Sequence, residues 1–382
     1  MIHFTESELS RRREKACDVM TKSGLDGLLI FRQESMYYLT GYDTFGFVFF
    51  QCLYMDADGR MILLTRSADI RQAEITSVIT DIREWHDSHN VNPIKNLKSI
   101  LIEQSCQGKK LGVEWQAYGL NARDGSKLSS ALEGFCELAD ASNLITELRA
   151  VKTRQEIIYT RAAANLADKA WEALLPEVYP GAHESNILNA LQSEIFKGGG
   201  DFPANDPIIG SGPYALLCRY HTGRRQLDEQ DQLTLEWAGS YRMYHAAMMR
   251  TICIGKVPKR QLYLYEVALE ALEAVHDSIR PGNTFGDGFS AHQNTMKKRG
   301  LTQHRLNACG YSLGATYAPT WMDWPMLYEG NPVKFSAGMV IFTHMIIFDS
   351  PEKLAMSLGE TILVHESGIE RLSLSSRNLM CK

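Results

Sequence analysis

Hydrophobic positions along the chain change their period several times, and each change marks an element. Residues 5–23 place apolar side chains at helical spacing behind a Thr5/Glu8 capping box, and Gly24 ends the run. That pattern predicts an opening helix. Asp26–Phe31, Phe47–Met55 and Met61–Thr65 are short, β-branched and aromatic runs that predict strands, the last two joined by the turn Asp56-Ala57-Asp58-Gly59. Helical stretches near 67–78 and 92–106, followed by a strand at Lys110–Glu114, complete an alternating α/β unit.

From Asn143 the character changes. Leu144–Thr153 leads into a long helix over 154–175, and a second helix over 183–197 is broken by Gly198-Gly199-Gly200. A third, over 260–279, is stopped by Arg280-Pro281-Gly282 and separates two strand-rich blocks. Helices outside and antiparallel strands inside make an α+β layout. At 382 residues the chain exceeds the size at which one core stops growing, so two domains are expected, 1–150 and 151–382.

Composition narrows the function classes. Hydrophobic residues at 45% and charged ones at 22% describe a globular chain with a packed core. A net charge of −5, with Lys and Arg scattered, argues against a nucleic-acid partner. The eight cysteines are irregularly spaced with no C-x-x-C pair, so neither a zinc ribbon nor a disulfide framework is expected. The start, Met1 to Glu8, turns polar at once, and no apolar run reaches the roughly 18 residues of a membrane span. The expectation is a reduced, cytoplasmic setting without a membrane partner.

Several motifs together resemble the creatinase and methionine-aminopeptidase superfamily. Glu147–Thr153 is similar to that family's interdomain entry, Ala308–Gly314 to its G-H-G-I-G, and Ala337–His344 to its p-G-M-v-f-t-i-E; Leu39-Thr40-Gly41-Tyr42 resembles a segment of its smaller domain. The resemblance implies a small creatinase-like α/β domain, a pita-bread catalytic domain and a homodimer, with Phe45, Phe47 and Phe49 placed to reach the partner. The family's peptidases hold two metals with two aspartates, a histidine and two glutamates. Aligned without gaps, these fall on Glu236, Ala247, Tyr311, His344 and Gly359. Losing the bridging carboxylates argues for a site without metal, and no cofactor is expected.

Glu236-Trp237-Ala238-Gly239, Tyr244-His245-Ala246 and Arg250-Thr251 bring the chain nearest to the metal-free branch that includes ectoine hydrolase. It departs from that branch at Thr44–Phe47 and around 319–330. The resemblance implies hydrolysis of a C–N bond in a small zwitterionic or cationic nitrogenous solute, with ectoine opening to N-acetyl-diaminobutyrate as the leading case. A Xaa-Pro dipeptidase-like metallopeptidase, a creatinase-like amidinohydrolase and a non-catalytic binding protein are the alternatives.

Candidate residues follow from both readings. Glu236 is a carboxylate inside the apolar run Leu233–Trp237 and needs either solvent or a purpose; its alignment favours the site, as nucleophile or cation-binding group. His221 stands where creatinase keeps its general base, and histidine as a residue type suits proton transfer near neutral pH. His245 alternates with Ala247 and is expected to face the site, unless it is a core histidine satisfied by backbone. Tyr311 and His344, at former ligand positions, are expected to bind substrate. Glu360 follows the lost glutamate, although alternation turns it away from Gly359. Trp237, Tyr317, Trp321, Trp324 and Tyr328 are core residues by default, and as a group they could line a pocket, with Trp321 a substrate contact.

Overall fold

The computed structural model describes residues 2–89 and 91–382, which form two compact units, Met1–Arg149 and Ala150–Lys382. In the first, α1 (Glu6–Lys22), β1 (Gly27–Ile30), α2 (Gln33–Thr40), β2 (Cys52–Asp56), β3 (Met61–Arg66), α3 (Ile70–Thr76), β4 (Asp81–Trp85), α4 (Pro93–Glu103), β5 (Lys110–Val113), α5 (Ala122–Leu132) and β6 (Glu137–Asp140) precede α6 (Leu144–Ala150). The six strands form one mixed sheet in the order β4-β3-β2-β1-β5-β6. Strand alternation separates two cores. Leu29, Phe31 and Leu64 pack with Leu97 and Leu128, while Leu28, Ile30 and Leu63 pack with Met20 and Met36.

Thr5 caps α1 by accepting from the Glu8 amide, as its capping pattern predicts. The strand expected over Phe47–Met55 begins only at Cys52. Gly46–Val48 form a 3₁₀ turn instead, held by a hydrogen bond from the Gly46 amide to Thr44 Oγ1 at 2.8 Å. An apolar run without alternation did not distinguish the turn from a strand.

The second unit carries α7 (Arg154–Leu174), α8 (Glu184–Lys197), β7 (Ile208–Ser211), β8 (Asp231–Tyr241), β9 (Tyr244–Ile254), α9 (Lys259–Ser278), α10 (Phe285–Lys298), β10 (Ala308–Ser312), β11 (Asp323–Tyr328), β12 (Val340–Asp349), β13 (Leu354–His365), β14 (Gly368–Arg371) and β15 (Met380–Cys381). Its sheet runs β11-β10-β12-β13-β9-β8-β7, with β14 on β13 and β15 on β9. Helix α10 escaped the sequence reading, although its Thr284/Asp287 capping box was a usable signal.

Helices cover one face of this sheet. Leu233, Leu235 and Trp237 pack against Ala167, Trp171 and Leu191, and Ile341, Met345 and Leu358 pack against Leu264, Leu272 and Phe289. Side chains of opposite parity on the same strands point to the other face.

Candidate active site

Strand register brings the aligned positions together. Glu236 pairs with Met249, Met249 with Gly359, and Gly359 with His344, so the four form a single row across β8, β9, β13 and β12. Ala247 lies two residues along β9, and Tyr311 is opposite Phe342, two residues from His344. Directly opposed residues share a face. Trp237, one step from Glu236, stacks on Trp171 at 5.6 Å and donates to the Ala167 carbonyl, so Glu236 points away from the helices.

Glu236 is buried, and its one hydrogen bond among the described residues is donated by Tyr311 Oη at 3.4 Å. Burial pushes its carboxyl up to about 7, against the pull of the nearby Arg219 charge and the Tyr311 hydroxyl. A carboxyl with so little support titrates where proton transfer is most useful. Tyr311 Oη accepts in turn from Trp321 Nε1 at 2.9 Å, which leaves its own proton for Glu236. The phenol stays protonated, because burial and Glu236 both raise its pKa.

The five positions do not fit two metal ions. Glu236 is the sole carboxylate among them, and no group of three or more His, Cys, Asp or Glu among the described residues could hold a metal. Gly359 carries a further obstacle. A Cβ there would meet the Phe342 ring at 3.0 Å, so an aromatic edge occupies the space a ligating side chain would need.

His344 packs its ring against Tyr311 at 5.5 Å and Phe342 at 5.4 Å. Its Nδ1 is buried with no hydrogen bond from another residue, and burial pushes its pKa down to about 4. It is therefore a neutral ring with hydrogen-bonding capacity. His245 is different: Nε2 accepts from the Ala204 amide at 2.9 Å, so Nδ1 carries the proton and donates to Thr316 Oγ1 at 3.1 Å. Burial pushes its pKa down to about 4. Both nitrogens are used, which corrects its expected part as a substrate contact. It ties residue 204 to residue 316 and lies beside Trp321, with ring centroids 6.4 Å apart.

Trp321 lies beside Tyr311. Its side chain is fully buried and donates to Tyr311 Oη, which places it behind that residue. Glu360 lies on the helix-covered face, opposite Thr343, where it accepts from Arg371 Nε at 2.8 Å and from Arg377 Nη2. Those guanidiniums and His276 outweigh its burial and hold its pKa below the ordinary value. The alternation that separated it from Gly359 removes it from the site.

His221 sits on an exposed segment after β7, 73% exposed, with Nδ1 4.0 Å from Asp206. Neighbouring Thr222 donates to the Pro207 carbonyl at 3.0 Å and accepts from the Ile209 amide at 2.7 Å, while Ile208 between them pairs with Glu236. The segment is further held by Glu184, a residue the sequence reading missed. Its carboxylate accepts from the Ser211 amide and hydroxyl, Tyr220 Oη, and the amides of Gly223 and Arg224. Arg219, also missed, stands on the same segment, close enough for its charge to act on both Glu236 and Tyr311. Nothing in the spacing marks either residue, because the donors to Glu184 lie 27 to 40 residues along the chain and the groups that feel the Arg219 charge lie on β8 and β10.

Two family models match the chain: the creatinase/prolidase N-terminal domain over residues 12–151, and metallopeptidase family M24 over residues 159–366. The ectoine hydrolase of Halomonas elongata is 28% identical, over 99% of this chain and 98% of that protein. A Xaa-Pro dipeptidase of Pyrococcus furiosus is 22% identical, over 97% and 100%. Among solved structures, a recombinant prolidase from Thermococcus sibiricus superposes with a TM-score of 0.88 at 21% identity, covering 98% of this chain and 99% of that one. The pita-bread α+β fold with a creatinase-like first domain is thereby shown.

Proposed function

The chain belongs to metallopeptidase family M24, a family of hydrolases acting on peptide-like C–N bonds, and carries its creatinase/prolidase N-terminal domain; from that premise we propose a metal-independent hydrolase that opens a C–N bond of a small nitrogenous solute, with ectoine as the first substrate to test. The observation that carries this reading is Glu236, a buried carboxyl whose pKa is pushed up to about 7 on a face where the other ligand positions hold Ala, Tyr, His and Gly. Full-length similarity to an ectoine hydrolase supports the substrate.

In this reading Glu236, as carboxylate, removes a proton from the water that adds to the amidine carbon. It returns that proton to the ring nitrogen as the C–N bond breaks, giving N-acetyl-diaminobutyrate. Tyr311 and neutral His344 orient the ring through hydrogen bonds. His221, at the exposed end, exchanges protons with solvent, and His245 and Trp321 hold the wall behind Tyr311. A homodimer remains part of the proposal, supported by the exposed rings of Phe45 and Phe49. No helix among the described residues is long and apolar enough to cross a membrane.

Replacing Glu236 with Gln is expected to lower turnover by about 10²–10⁴-fold, the usual contribution of a general acid–base group, with circular dichroism unchanged. Product is followed by NMR on ectoine. Activity that survives the substitution sinks the assignment of Glu236. Two tightly bound metal ions per chain, with activity lost on chelation, would move the reading to a Xaa-Pro dipeptidase-like metallopeptidase.

A further inference from the structure

We propose that Arg219 receives a carboxylate of the substrate, so that this site selects zwitterions whose nitrogenous end lies at Glu236 and whose anionic end lies at the mouth. The proposal rests on reading the surroundings of Glu236 as the active site, and it adds a specificity residue that neither motif nor alignment pointed to.

Three observations carry it. First, the segment bearing Arg219 is held in place: Glu184 takes five hydrogen bonds along Ser211–Arg224, and Thr222 is tied to both neighbours of Ile208, the residue paired with Glu236. Second, the guanidinium is largely unused. Among the described residues its one hydrogen bond is from Nη1 to the Cys218 carbonyl at 2.8 Å, and it joins no ion pair. Arg225, six positions on, shows the alternative, paired with both Asp228 and Asp231. An arginine offers five donors in a planar fork suited to a carboxylate, so Arg219 has most of that fork free.

Third, Arg219 and Glu236 feel one another without touching. Burial raises the pKa of Glu236, of Tyr311 and of Cys218, and the Arg219 charge pulls against that rise at all three, yet no ion pair closes between guanidinium and carboxylate. Opposite charges that share a site but stay apart, each with hydrogen-bonding capacity to spare, are bridged by a molecule of the reverse polarity. An amidine or ammonium group faces Glu236, and a carboxylate faces Arg219. A bland surface arginine would show neither the fixed segment nor the electrostatic reach to a buried carboxyl.

The test compares carboxylates with their carboxamides on the full chain. With ectoine and ectoine carboxamide, Arg219→Ala is expected to raise KM for ectoine by about 10- to 100-fold, the worth of one charged hydrogen-bond pair. The effect on kcat should be smaller, and the carboxamide should be indifferent to the substitution. Because Arg219 is exposed, thermal unfolding should not change. A variant that keeps the wild-type preference for the carboxylate overturns the proposal. Isothermal titration with creatine and glycylproline, each beside its carboxamide, separates the two levels of inference. If ectoine fails but another carboxylate binds in an Arg219-dependent way, the substrate reading falls and the role of Arg219 stands. If no carboxylate is preferred in any pair, the role of Arg219 falls.

Discussion

Glu236 and Glu360 are both buried carboxylates of the same sheet, on strands separated only by β9, and they are opposites in every property that decides what a carboxylate can do. Glu360, on the helix-covered face, is gripped by Arg371 and Arg377, and its pKa falls below the ordinary value. Glu236, on the other face, has a single hydrogen bond at 3.4 Å, and burial pushes its pKa up to about 7. Burial alone therefore does not mark a functional acid. The number and charge of donors does: a saturated carboxylate braces structure, and an undersupplied one is free to move protons. Glu184, with five donors on its two oxygens, falls on the structural side by the same test.

The comparison breaks most visibly at Glu360. Replacing it with Ala leaves Arg371, Arg377 and Arg250 crowded around a neutral position, beside a His276 ring whose Nδ1 accepts from Arg377 at 3.2 Å. Removing one partner from a buried pair costs about 3–5 kcal/mol; a loss near the lower end is expected, since Arg371 reaches solvent. Urea unfolding at neutral pH measures it, and kcat per folded molecule should be retained. A loss below about 1 kcal/mol, the ordinary worth of a surface pair, would erase the distinction drawn between the two faces.

A somewhat smaller effect sharpens it through pH. Glu236 has a folded pKa of about 7 against an ordinary 4.5. A raised pKa means the folded state holds its proton more tightly, so the associated stability is fully present below the unfolded pKa and is lost as pH rises through 7. Above that point the charged, buried Glu236 costs up to about 3 kcal/mol. Glu236→Gln removes the cost, so the inactive variant should be more stable than the parent at pH 8 and nearly equal to it at pH 4. Glu360 gives the reverse slope, with stability present above the ordinary carboxylate pKa and lost as pH falls through its depressed one. Unfolding free energies from about pH 2 to pH 9 test both; a flat difference between parent and Glu236→Gln would show that Glu236 ionises normally.

Much of this was legible in the sequence, and the limits have physical causes. The long helices follow from periodicity, whereas the five former ligand positions were located by the family resemblance, with strand alternation fixing only which of their neighbours look the same way. The separation of Glu360 from Gly359 follows likewise. What periodicity could not give is the partner set. His245 is satisfied by Ala204 and Thr316, 41 and 71 residues away, and Glu360 by arginines from beyond β13. Whether a polar side chain is free or satisfied depends on chain segments that meet only after folding. Arg219 escaped for that reason, and so did the Phe342 ring that fills the space beside Gly359.

The smallest effect concerns the support of Tyr311. Trp321 Nε1 donates to Tyr311 Oη, and a phenol oxygen that accepts a hydrogen bond is a better donor through its own proton. That proton is the one directed at Glu236, where it favours the carboxylate. Trp321→Phe keeps an aromatic ring in the fully buried position and removes only the N–H. The carboxylate then loses part of its one hydrogen bond, and the Glu236 pKa should rise further above 7. The expected loss in kcat/KM at pH 7 is about tenfold or less, corresponding to about 1 kcal/mol for one neutral hydrogen bond. The pH–rate profile is the informative measurement, because a cavity or packing defect would lower stability while leaving the midpoint in place. An upward move of the midpoint, with the high-pH plateau largely recovered, would show that the face holding Glu236 is tuned by its scarcity of donors, and that removing one more exaggerates what distinguishes it from the face that holds Glu360.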